Sequence, residues 1–145
     1  MISRLAAAVV AMVLLTGCVS PALGNGSYRG KGQAAVQAAL SEVETASLVV
    51  EQMRRDRIPK AYADETVSAS EQAMGSIVDS FGSVQPPPAS DQIHDEVSGL
   101  LEEADSAVSA ARIATRRVDR AQLGELQERL HQIAERLRDA EGRLK

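Results

Sequence analysis

Four stretches of apolar side chains recur at alternating steps of three and four residues, and breaks in that rhythm separate them. Val36, Leu40, Val43, Ala46, Val50 and Met53 form the first stripe, in a segment running from about Gln33 to Arg57. Ala63, Val67, Ser70, Met74, Ile77, Phe81 and Val84 form the second. Ile93, Val97, Leu100, Ala104, Ala107, Ala111, Ala114 and Val118 form the third, and Leu123, Leu126, Leu130, Ile133, Leu137, Ala140 and Leu144 the fourth. This spacing keeps one face of a 3.6-residue helix turned towards a partner. Sustained over three or more heptads, it predicts helices packed knobs into holes.

The breaks have chemical causes. Pro59 disfavours helical geometry in Ile58 and suits the first turn of a new helix. Gln85-Pro86-Pro87-Pro88 ends the second segment, and Ser90 is placed to cap the third. Val118 to Leu123 is a step of five that fits neither interval. There Asp119 is placed as N-cap, Gln122 completes a capping box, and Val118 with Leu123 makes the flanking staple. A tight turn at Asp119 is therefore expected in preference to one long kinked helix. Aromatic residues make up only 2% of the chain, with Phe81, Tyr28 and Tyr62 as all of them, which disfavours a β-sandwich or barrel. The 145 residues suit one domain. The fold expected over residues 33–145 is all-α, an up-down-up-down four-helix bundle. The alternative is a smaller helical unit that completes its core by dimerising.

The first eighteen residues read differently. Arg4 supplies a positive start, Leu5 to Leu15 is an eleven-residue run without a polar side chain, and Leu15-Thr16-Gly17-Cys18 follows. That run is too short to span a hydrocarbon core, which takes about 20 residues, and it suits a cleaved export signal. The quartet resembles the lipobox of bacterial lipoproteins. The resemblance implies a signal peptide over residues 1–17, an acylated Cys18 as mature N-terminus, and anchoring by lipid at the extracytoplasmic face of the cell envelope. It covers residues 1–18 only. Cys18 is the single cysteine, so an internal disulfide, a cysteine-rich zinc site and a CxxC motif are excluded. Residues 18–32, with several glycines, read as a flexible tether.

Sixteen basic and 20 acidic residues give a net charge of −4, which argues against nucleic-acid binding. Without residues 1–17 the balance is 15 to 20, or −5. No phosphate loop, GxSxG or HExxH motif is present. Asp91-x-x-His94 and Glu128-x-x-His131 resemble half-motifs of di-metal bundles. The stripes, however, put Ile93, Val97, Leu130 and Ile133 in the seam, and the two histidines fall about 18 Å apart along the axis. Solvated histidines, no metal, no cofactor and no catalytic residue are expected.

Arg54, Arg55, Arg57 and Lys60 flank the first break, and Arg112, Arg116, Arg117 and Arg120 the third. In an up-down-up-down bundle these lie at one end, remote from the anchor. Cations there complement helix C-termini, and their number suggests a pole that binds an envelope protein or an anionic envelope polymer. The function expected is non-catalytic binding or scaffolding. A carrier holding an apolar ligand within the bundle, where Ala104, Ala107, Ala111 and Ala114 are small, is the alternative.

Overall fold

A computed structural model describes residues 24–145. Four helices follow in order: α1 (Asn25–Arg54), α2 (Lys60–Gly82), α3 (Asp91–Arg117) and α4 (Arg120–Leu144). They form an up-down-up-down four-helix bundle with no strand among the described residues. Pro59 sits at the N-cap of α2 (φ −63°, ψ 142°), and the three prolines separate α2 from α3. The Asp119 carboxylate accepts from the amides of Ala121 and Gln122. The turn expected there is present, and α3 and α4 are separate helices.

The first helix starts earlier than the stripe suggests. Residues 25–32, read as tether, are helical. Tyr28 and Gly32 are buried and extend the apolar face by two turns. Glycines at 30 and 32 cost about 1 kcal/mol each in a helix interior. Burying a tyrosine ring removes roughly 150–250 Å² from water, worth ~4–6 kcal/mol as an upper bound. Packing overrides propensity.

Two caps also differ from expectation. The Ser90 hydroxyl donates to Asn25 Oδ1 (3.2 Å) instead of capping α3. Val118 takes the left-handed conformation (φ 54°, ψ 39°) and is 45% exposed, so it stands out from the turn while Leu123 is buried.

Around the bundle the neighbours run α1–α2–α3–α4 and back to α1. Across the diagonals, α1 also comes close to α3, whereas the backbones of α2 and α4 stay farther apart. The cause is side-chain size. Ala39, Val43, Ala46 and Val50 of α1 and Ala104, Ala107, Ala111 and Ala114 of α3 are fully buried, and short side chains let two helix axes approach. Met74, Leu101, Leu123, Leu130, Ile133 and Leu137 fill the wider spaces.

Candidate functional site

Leu15, Thr16, Gly17 and Cys18 lie outside the described residues. None of the four helices is long and apolar enough to cross a membrane.

The eight cations at the first and third breaks do come together at one end of the bundle. Contacts between the segments show it: Arg120 reaches Asp56 (2.6 Å), and Arg54 donates to Gln127. Most of this charge is already answered. Arg55 pairs with Glu51 (2.7 Å) and Arg116 with Asp64 (2.6 Å). Arg112 faces Glu71, its Nε–H lying off the carboxylate's line, so the pair is one of charge rather than of an aligned hydrogen bond. Glu71 also accepts from the Ser109 hydroxyl (2.8 Å). Five of the eight thus stitch neighbouring segments or turns together. Arg57, Lys60 and Arg117 have no ion pair among the described residues. Near them stand two exposed apolar groups, Tyr62 (61%) and Val118 (45%). Asp56 also has a left-handed backbone (φ 52°), which aspartate tolerates better than valine does.

The opposite end holds a cluster that the stripes do not contain. The Tyr28 ring is fully buried against Phe81, with ring centres 5.7 Å apart. Its hydroxyl lies 2.6 Å from His94 Nδ1, and Phe81 stacks on the same imidazole at 5.7 Å. Burial, helped by Asp91 and Asp95, pushes the Tyr28 phenol above its ordinary value. The phenol keeps its proton and shares a hydrogen bond with the imidazole at Nδ1. His94 is therefore a half-buried structural partner of Tyr28 rather than the solvated histidine expected. Its signal was Tyr28 itself, four residues before Gly32 and eight before Val36 on the same face. His131 is 62% exposed beside Glu135 (3.4 Å), and no group of metal-ligating side chains occurs among the described residues.

Two grooves run between helices. One, of about 400 Å³, is polar and lies between α1 and α4, around Glu51, Arg54, Glu128 and His131. The other, of about 480 Å³, lies between α1 and α2 and is lined chiefly by Ala34, Ala35, Ala38, Ile77, Phe81 and Val84. The alanine seam of α3, the place expected for an internal ligand, has α1 lying against it.

Asp105 lies on α3, and its carboxyl is pushed up, first by burial and then by Glu71 and Asp79 of α2. Like charges meet here because both helices turn acidic faces to the same seam, with Arg112 compensating Glu71 two turns further along α3.

Comparison with protein-family models, curated proteins and solved structures finds no match.

Proposed function

We propose that this chain is a lipid-anchored, non-catalytic binding module of the bacterial cell envelope, held by Cys18 and engaging an anionic partner at its far end. The observation that carries the reading is the grouping of Arg57, Lys60 and Arg117, three cations outside the ion pairs, beside exposed Tyr62 and Val118. Five of the eight cations first singled out belong to the bundle's own bonding, so the binding set narrows to these three. The left-handed Val118 supports the same end, since strained backbone recurs where a surface is shaped for contact. The lipobox-like quartet supports the anchor. The 30 residues of α1 span about 45 Å, which carries the cation end well clear of the point where the chain enters the bundle.

The test is a pull-down from envelope extracts with wild type and with Arg57, Lys60 and Arg117 changed together to Gln. The variant should lose its partner at low salt. Wild type should lose it as the screening length falls from about 10 Å at 0.1 M to 3 Å at 1 M. Equal capture by both proteins at every salt concentration would remove the proposed site, because the three changes touch no ion pair of the fold.

A further inference from the structure

The α1–α2 interface differs from the other three adjacent ones. From α2 to α3 run Arg112–Glu71 and Arg116–Asp64; from α3 to α4, Arg136–Glu103 and Arg143–Glu96; from α4 to α1, Arg138–Glu44. Among the described residues no ion pair or side-chain hydrogen bond crosses from α1 to α2. The apolar groove opens in that place, and its volume of about 480 Å³ falls in the range of about 300–1,000 Å³ usual for small-molecule sites. The sequence supplies the space. Ala34, Ala35 and Ala38 line the α1 wall with methyl groups alone, facing half-buried Ile77 and Val84 of the α2 side. Phe81 makes the floor, 4% exposed and held by the rings of Tyr28 and His94.

Charge narrows what such a groove accepts. Lys31 is the one charged residue in its lining. It is half-buried and enters no ion pair among the described residues. A lysine so placed lays its methylene stem along apolar surface and keeps the ammonium at the water edge. The cation therefore marks the end of the groove nearest the start of α1. Beyond the other end the sign is opposite, because Glu42 follows Ala38 by one helical turn. Alanine walls offer a peptide few hydrogen-bond partners, and a neutral apolar guest leaves the ammonium unanswered. One apolar chain with one anionic head answers both. The seven residues from Lys31 to Ala38 span about 10 Å, the reach of roughly eight carbon–carbon bonds of ~1.5 Å in zigzag.

We propose that the α1–α2 groove binds a single-chain fatty carboxylate, its chain against Ala34, Ala35, Ala38, Ile77 and Phe81 and its head on the Lys31 ammonium. The chain supplies affinity, and Lys31 selects the head. This site lies at the opposite end of the bundle from Arg57, Lys60 and Arg117, and it depends neither on their partner nor on the lipid anchor.

The test uses the full chain with phosphatidylcholine vesicles at about pH 9, where a carboxylate is ionised and lysine, at about 10.4, keeps its charge. A diazirine-bearing decanoic acid is photo-crosslinked to the protein, and fragment ions after trypsin locate the label. It should fall within residues 31–38 and 76–84, and excess decanoate should remove it. Decanol should need an about threefold to fivefold higher concentration for the same effect, the factor that a partly exposed ion pair contributes. Lys31→Gln should erase this difference, and Lys31→Arg should keep it. Ala38→Leu puts a good helix former at an exposed position and should block labelling by filling the groove. Label spread over all the helices, or equal competition by decanoate and decanol on wild type, would overturn the site. So would a preference for the acid that survives Lys31→Gln, or labelling unchanged in Ala38→Leu. Absence of label from those residues, as when a second copy covers the groove, counts equally against it.

Discussion

Val118 reverses the chain between α3 and α4 in a conformation usually left to glycine. For a residue with a branched Cβ the left-handed region costs roughly 1–2 kcal/mol, and at 45% exposure little burial offsets it. Val118→Gly should therefore raise stability by about 1 kcal/mol, less than the full strain because glycine has more freedom to lose. The denaturant midpoint should rise with an unchanged slope; a lower midpoint would show that the valine methyls hold the turn. Asp105 makes a second prediction. Its carboxyl is pushed up in the fold, so the ionised form is disfavoured there. Whatever stability Asp105 contributes is fully present below the unfolded value of about 4 and is lost as pH rises through the higher folded value. Asp105→Asn should thus exceed wild type at pH 7 by about half a kcal/mol, the gap closing as pH falls below about 4. Thermal melts of both proteins across pH check it, and a gap that widens in acid contradicts it. Neither effect was legible in the sequence: a step of five announces a turn at 118–123 but not its handedness, and Asp105 meets Asp79 only through the register of α2 on α3.

At the scale of the helices, the stripes and breaks carry most of the architecture. Asp119 caps α4 as its chemistry requires, and Leu130, Ile133 and Leu137 are buried as their spacing requires. The start of α1 was the exception. Glycine-rich composition reads as a tether, yet only one face of those residues needs to be apolar, and Tyr28 and Gly32 supply it. Deletion through residue 24 and deletion through residue 32 should therefore differ. The first leaves every described helix intact. The second removes the Tyr28 ring from Phe81 and His94, a loss of about 3–5 kcal/mol by analogy with truncating a buried aromatic side chain, and should lower the melting temperature by more than about 10 °C. Equal melting temperatures would return residues 25–32 to the role of a tether.

For the molecule as a whole, the pattern established that the two Arg-rich breaks share an end, because helix order alone decides that. It did not show that five of the eight cations engage partners within the fold, since pairing depends on how each helix is rotated and staggered. Nor did it show which diagonal closes. Alanines were visible on α3, but whether they make room for a ligand or admit a neighbouring helix depends on what α1 presents across the bundle. That closed diagonal gives α1 and α3 three helical neighbours each, and for both of them the set includes α4, the last to be made. About 90 residues separate Arg54 from Leu144. At synthesis rates of about 5–20 residues per second, α1 waits roughly 5–20 s for its final neighbour. The hairpin of α1 and α2 closes locally and fast, yet one flank of α1 stays bare through that interval. The longest wait in the bundle thus falls to its first helix, which begins the assembly and is fully covered only when the chain's last helix arrives.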